Sequence, residues 1–258
     1  MGHLASSPVR TGAALAGLFF CSLSAGAQRL QRVDQATRDS VPDSRFPIAW
    51  LIGGSLVVAA AISDQELEEE SLEYRSATLD KLEHTGNVLG SGVFLLPALG
   101  ATYVAGLVVR QPRLTNGALH VAAAYLAGNI VSSVGKPAIG RHRPDTTGSP
   151  WRFRPLVSQG AWHSLPSAHT LHAFTLAGAI SEEARRPWVT ISAYSAATLI
   201  GWSRVYADEH WTSDVAVSAI LGAAIGHGVV RFLHARRAAG ERVQWWPTPG
   251  GIDVRVAW

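Results

Sequence analysis

Arg204, His210 and Asp214 lie within the run Ser203-Arg-Val-Tyr-Ala-Asp-Glu-His-Trp-Thr-Ser-Asp214, and their side-chain types suit phosphoryl transfer. His210 and Asp214 are four residues apart, so a helix opening near Thr212 or Ser213 puts both on one face. The carboxylate can then hold one imidazole nitrogen and leave the other free to attack an electrophile. Arg204 offers a planar fork of donors matched to phosphate oxygens, provided the intervening loop folds back over the histidine. Taken alone, the run also fits a capped helix start with ordinary surface charges.

Two upstream stretches carry further phosphate-binding chemistry in apolar surroundings: Lys136-Pro-Ala-Ile-Gly-Arg-His-Arg143-Pro144 and Pro166-Ser-Ala-His169. In order, the three stretches read K-x6-R-P, P-S-A-H and S-R-x5-H-x3-D. This pattern resembles the signature of the type 2 phosphatidic acid phosphatase (PAP2) superfamily, which also holds bacterial class A acid phosphatases and vanadium-dependent haloperoxidases. One fixed position departs, Ala168 standing where the family usually has glycine; alanine keeps the N–H but tolerates fewer backbone conformations.

The resemblance implies a role for each matched residue. His210 is the nucleophile that forms a phosphohistidine, and Asp214 orients it. His169 protonates the leaving oxygen and later activates water, a task suited to a group titrating near the working pH. Lys136, Arg143 and Arg204 hold the phosphate oxygens, with the Ser167 hydroxyl and the Ala168 N–H as added donors. Arg141 and His142 fall at variable positions of the first stretch. His84, His120, His227 and His234 show no metal-ligand spacing with one another, so the expected reaction uses no metal and no other cofactor.

The elements that must position these residues are helical. Uncharged blocks at Phe46–Ser63, Gly86–Val109, Leu114–Gly135, Ser164–Ser181, Pro187–Ser203 and Trp211–Val230 alternate with short charged ones. The expected fold is an all-α, PAP2-like bundle of about six helices, embedded in a membrane, with a short β tail. That tail is Ile252-Asp-Val-Arg-Val-Ala-Trp258, which alternates after a Pro249-Gly-Gly251 turn signal and could pair with Val243–Trp246. The segment Ser63–Thr85 reads as a linker whose acidic run, Glu66, Glu68, Glu69 and Glu70, forms a solvated helix face.

Composition bounds the rest. The formal charge of +3 is modest and the arginines are scattered, which argues against a nucleic-acid partner. The single cysteine, Cys21, excludes a disulfide framework. Arg10, the apolar run Ala13–Ser24 and Ala25-Gly-Ala27 read as a signal peptide over residues 1–27, followed by an arm over 28–45, a catalytic domain over 46–240 and a tail over 241–258. Arg110 and Arg113, Arg185 and Arg186, and Arg231, Arg236 and Arg237 fall in loops on the side opposite the three motifs. The positive-inside rule then turns the motifs toward the periplasm of a bacterial inner membrane. A cleaved signal requires an even number of crossings before Lys136, whereas three apolar blocks precede it. Either one block does not cross, or the bundle is soluble in the periplasm, or the N-terminus stays inside.

The function expected on this basis is a phosphatase acting on a lipid phosphate or pyrophosphate. A soluble acid phosphatase for small phosphoesters is the near alternative, and a haloperoxidase whose cage holds vanadate is the remote one. Nothing in the pattern sets an oligomeric state.

Overall fold

A computed structural model of the protein describes residues 45–144, 148–238, 242–248 and 251–257. The expected signal peptide, Cys21 and nearly all of the arm lie outside the described residues; Arg45, at the arm's end, opens the first helix. The chain divides into two units, Met1–Ile52 and Gly53–Trp258. Of the first, the described part is the helical stretch 45–52; everything below concerns the second.

The described helices are α1 (Arg45–Ile62), α2 (Asp64–Glu73), α3 (Ala77–Gly90), α4 (Gly92–Val108), α5 (Pro112–Ile139), α6 (Ala168–Ala184), α7 (Pro187–Tyr206) and α8 (Thr212–Ala238). The helical bundle is as the sequence implies, but there are eight helices among the described residues where about six were expected. Two causes account for the difference. The presumed linker Ser63–Thr85 is helical, and α3 starts where the Ser76 side chain accepts from the Leu79 N–H, an N-cap that satisfies a first-turn donor. The block Gly86–Val109, expected as one span, breaks at Gly90-Ser91-Gly92 into α3 and α4, which meet at a 53° bend.

Helix α6 is central and packs against α5, α7 and α8, while α3 lies on α7 and α4 on α5. The contact between α6 and α8 requires glycine. A Cβ on Gly222 would come within 2.4 Å of the Leu171 carbonyl, and one on Gly226 within 2.2 Å of the Thr175 carbonyl. These two glycines, four apart, let the backbones touch as small residues do where helices associate in lipid. Small apolar side chains fill the seams on either side of α6: Val121, Ala124, Ala179 and Val230 in one cluster, and Ala173, Ala177, Ala197 and Ile200 in the other.

Helices α5 and α8 are long and apolar enough to cross a membrane, and the bent pair α3–α4 passes the same test when taken together. Helix α5 extends the uncharged block Leu114–Gly135 to 28 residues. About 20 residues cover a hydrocarbon core. The outward side chains match that environment: Val93, Val104 and Val108 on α4, Leu126, Ile130 and Val134 on α5, and Ile191 on α7 are all exposed. The C-terminal alternation forms a two-stranded antiparallel hairpin, β1 (Arg242–Thr248) with β2 (Gly251–Ala257), in which Val243 pairs with Val256 and Thr248 with Gly251.

Candidate active site

The three motif stretches meet at one end of the bundle, held by a loop that only glycine allows to begin as it does. Helix α5 ends at Gly140, whose φ of +62° is left-handed and whose absent Cβ would overlap the Arg154 carbonyl at 1.8 Å. The chain then folds back on itself. His142 N–H donates to the Arg152 carbonyl, Arg143 N–H to Ala161 and Ser164 N–H to Arg141, all at 2.9–3.0 Å.

Arg141 is the hub of this end, a role sequence reasoning missed when it left the residue at a variable position of the first stretch. It is buried, and its guanidinium joins two buried carboxylates: Nη2 reaches Asp64 Oδ2 at 2.8 Å and Nη1 reaches Asp214 Oδ1 at 2.5 Å. Its Nε donates to the Pro150 carbonyl, and the rings of Phe153 and Trp211 lie 5.7 and 5.8 Å from the guanidinium carbon. Asp64 also accepts from the Ser213 amide at 2.8 Å and from its hydroxyl at 2.5 Å, which fixes the first turn of α8. The bonds of Arg141 span 77 residues to Asp64 and 73 to Asp214, so spacing alone gave no signal of them.

Asp214 sits in the first turn of α8 and His210 in the loop before it, close in space as their spacing suggests. The expected hydrogen bond between them is not formed. His210 Nδ1 lies 3.9 Å from Asp214 Oδ2 and has no hydrogen-bond partner, although it is buried. Asp214 is fully engaged elsewhere: Oδ2 accepts from Ser164 Oγ at 2.5 Å and from the Trp211 amide at 3.1 Å, while Oδ1 takes Arg141. Burial lowers the His210 pKa well below its ordinary 6.5, and the charges of Lys136, Arg143 and Arg204 lower it further, while a hydrogen bond at the Ser164 backbone opposes them. The imidazole is therefore neutral at neutral pH, with its one unprotonated ring nitrogen available as base or nucleophile.

The three cations close the other side. Lys136 donates to the His163 carbonyl at 2.9 Å, and Arg204 donates from Nη1 to Asn87 Oδ1 at 2.6 Å. Both arginines converge on one carboxylate. Glu209 pairs with Arg143 through Nη1 and with Arg204 Nη2 at 3.4 Å, although it falls at a variable position of the third motif. An internal anion thus bridges the two forks. Lys136, Arg143 and Arg204 all act electrostatically on His169 as well as on His210, so the two histidines share one positive field.

Ser167 and Ala168 mark the start of α6. The Ser167 amide donates to Ser218 Oγ at 2.8 Å, and its buried hydroxyl lies 3.0 Å from Thr170 Oγ1. Ala168 is the first helical residue, so its N–H belongs to the turn whose amides lack partners within the helix. Its φ is not among the positive values, so the methyl group standing in place of glycine adds no backbone strain here. His169 packs beside Gly90, where a Cβ would come within 3.1 Å of its ring and 2.6 Å of Ile200. His172 is buried against Tyr125, with ring centroids 4.7 Å apart.

Comparison with known proteins bears on this arrangement. Residues 117–238 match the model of the PAP2 superfamily. A lipid A 1-phosphatase of Porphyromonas gingivalis is 36% identical over 103 residues, which is 39% of this chain and 20% of that protein; the match thus spans about a fifth of the relative's length. Among solved structures, a transmembrane PAP2-type phosphatidylglycerolphosphate phosphatase from Bacillus subtilis superposes with a TM-score of 0.59 at 24% identity, covering 74% of this chain and 97% of that one. Aquifex aeolicus LpxE superposes more loosely, with a TM-score of 0.48 at 24% identity over 65% of this chain and 94% of its own.

Proposed function

We propose that this chain, whose residues 117–238 match the PAP2 superfamily model, is a membrane phosphatase that hydrolyses a lipid phosphate or pyrophosphate through a phosphohistidine, without a metal. The observation that carries this reading is the convergence of Arg143 and Arg204 on one carboxylate, in a positive field that also reaches a buried, neutral His210. A site that draws an internal carboxylate between two arginine forks is built for an anion with several oxygens.

In the first half-reaction the nitrogen of His210 remote from Asp214, Nε2, attacks phosphorus. A P–N bond forms, the P–O bond to the leaving group breaks, and His169, brought to its protonated form by the negative charge of the bound phosphate, gives its proton to that oxygen. Lys136, Arg143 and Arg204, the Ser167 hydroxyl and the Ala168 N–H receive the charge that builds on the phosphoryl oxygens. The phosphorylated imidazole is cationic, and Asp214 stabilises it. A shift of about 1 Å brings Nδ1–H into hydrogen-bond range of the carboxylate. In the second half-reaction His169 takes a proton from water as the oxygen attacks phosphorus, the P–N bond breaks, and inorganic phosphate leaves a neutral His210.

Three observations favour a lipid substrate. The bundle carries membrane-type helices. The similar segment of the Porphyromonas gingivalis protein belongs to an enzyme named for a lipid phosphate. An apolar cavity of about 680 Å³, lined by Leu67, Leu82, Phe174, Trp202, Val205 and Val215 among others, adjoins the segment that carries Arg204 and His210 and offers room for an acyl chain. The arginine-bearing loops at the opposite end support a reading in which the site faces the periplasmic side of an inner membrane.

The test is phosphate release by the detergent-purified chain, from lipid phosphates and from water-soluble phosphomonoesters, beside His210→Ala. Activity on lipid substrates that disappears in the variant supports the reading. Equal or greater turnover of soluble esters overturns the lipid assignment, and turnover that survives His210→Ala overturns the mechanism.

A further inference from the structure

The far end of the bundle holds a second cluster of ligand-type side chains that the phosphatase reading leaves unused. His120 on α5, Glu183 on α6 and His234 on α8 present Nδ1, a carboxylate oxygen and Nε2, all within 4.8 Å of one another. Glu183 Oε1 lies 2.5 Å from His120 Nδ1 and 2.9 Å from His234 Nε2, and the two imidazoles meet edge to face with centroids 5.1 Å apart. None of this is visible as spacing, since 63 residues separate His120 from Glu183 and 51 separate Glu183 from His234.

Helix geometry separates the cluster from the phosphate seat. His120 precedes Lys136 by 16 residues, Glu183 follows His169 by 14 and His234 follows Asp214 by 20. At a rise of 1.5 Å per residue these are about 24, 21 and 30 Å along three helices. The cluster therefore belongs to the end that carries Arg185 and Arg186.

Its chemistry fits a cation better than it fits hydrogen bonding alone. Two imidazoles crowd one carboxylate oxygen, the donor set of two histidines and one acid that holds Zn²⁺ with an open position for water. The second oxygen, Glu183 Oε2, faces Gly117, where even an added Cβ would remain 3.6 Å away, so the other side of the carboxylate has space. The neighbouring Glu182 is committed to His227 and Arg231, each at 3.0 Å, and does not compete. The three side chains are 15%, 20% and 37% exposed, so an ion can reach them from solvent without crossing the bundle.

We propose that His120, Glu183 and His234 form a binding site for a divalent transition-metal ion, with Zn²⁺ the best match, that ties α5, α6 and α8 together at the end remote from the phosphate seat. Closing on an ion needs only a small rearrangement, with each ligand atom brought to about 2.0–2.2 Å from the metal. Binding to the folded chain and not to the unfolded one raises thermal stability, by an amount that grows with the logarithm of the free ion concentration once it exceeds Kd.

The experiment uses the full chain, tag-free, in detergent and stripped with EDTA. Co²⁺ is titrated while visible absorption is followed, Zn²⁺ then displaces it, and melting is measured with and without Zn²⁺. One Co²⁺ per chain, displaced by Zn²⁺, with a higher melting temperature is expected. His234→Ala and His120→Gln should each weaken binding at least tenfold, and phosphate release should not change on stripping. Failure of the unmutated chain to take up one equivalent overturns the site, as does uptake that both variants retain. Neither result touches the phosphatase reading, which is judged by His210→Ala.

Discussion

Replacing Glu209 by glutamine should tighten substrate binding without changing the chemical step. The side chain bridges Arg143 and Arg204 as an anionic substrate would, so substrate must displace it before both forks are free to act. Glu209 is 40% exposed and Arg143 21%, whereas Arg204 is only 6% exposed. Solvent screening therefore discounts the pair, and its worth is about 1 kcal/mol, at the upper end of exposed ion pairs. At that value the seat is open about one-sixth of the time, and apparent affinity is lowered in the same proportion. Glu209→Gln keeps the shape and removes the charge, so KM for a phosphate substrate should fall about sixfold with kcat unchanged. The inhibition constant of inorganic phosphate should fall alongside it. Initial rates across a substrate series in a fixed detergent give both numbers. A KM that stays the same or rises, or a kcat that drops tenfold, would show that Glu209 positions the arginines instead of standing in for substrate.

Other consequences are equally direct. Arg141→Met leaves Asp64 and Asp214 buried without their shared cation and should cost about 3–5 kcal/mol of stability, read as a lower midpoint in thermal or denaturant unfolding; an unchanged midpoint would remove Arg141 from its place at the hub. His169→Ala should accumulate an acid-labile phosphoenzyme from an activated aryl phosphate, whereas the same label on His210→Ala would contradict the assigned nucleophile. Vanadate, able to become five-coordinate in the seat, should inhibit competitively and lose potency in Arg204→Ala, while EDTA leaves turnover intact; loss of activity with EDTA and its rescue by added metal would mean the seat has been misread. Burial, then the charges of Asp208, Glu69 and Asp64, push the Glu68 carboxyl up to about 7. A raised folded-state value means that its stabilising contribution is complete below the unfolded value near 4.5 and is lost as pH rises through about 7. Glu68→Gln should therefore raise the melting temperature more at pH 8 than at pH 5, and an equal shift at both would refute the assignment.

What the sequence made legible follows from distance along the chain. The tail hairpin could be read because its period of two and its turn lie within a dozen or so residues of each other. The motif residues could be read because each stretch is short and ends an apolar block, and helix ends are where loops converge. The break between α3 and α4 was signalled by Gly90-Ser91-Gly92, but the uncharged run from Gly86 to Val109 hid it. Asp64 had no such marker. It opens an acidic helix and looks like its exposed neighbours Glu66 and Glu69, yet it is only 1% exposed, because its partners Arg141 and Ser213 come from elsewhere in the chain.

That hidden contact also explains why His210 and Asp214 stand 3.9 Å apart and not in a hydrogen bond. The pairing inferred from a four-residue spacing treats Asp214 as having one client. In the folded chain the carboxylate serves Arg141, Ser164 and the Trp211 amide. These hold it rigidly while the imidazole, neutral and deprived of a partner at Nδ1, gains little by approaching. In the phosphohistidine scheme proposed above, the ring becomes cationic when Nε2 takes a phosphoryl group, and the charge across that gap would then favour closing it. On that proposal, an aspartate fixed in advance, facing a histidine that must become charged to reach it, would stabilise a phosphoenzyme more than the resting enzyme, which is the direction a catalyst requires.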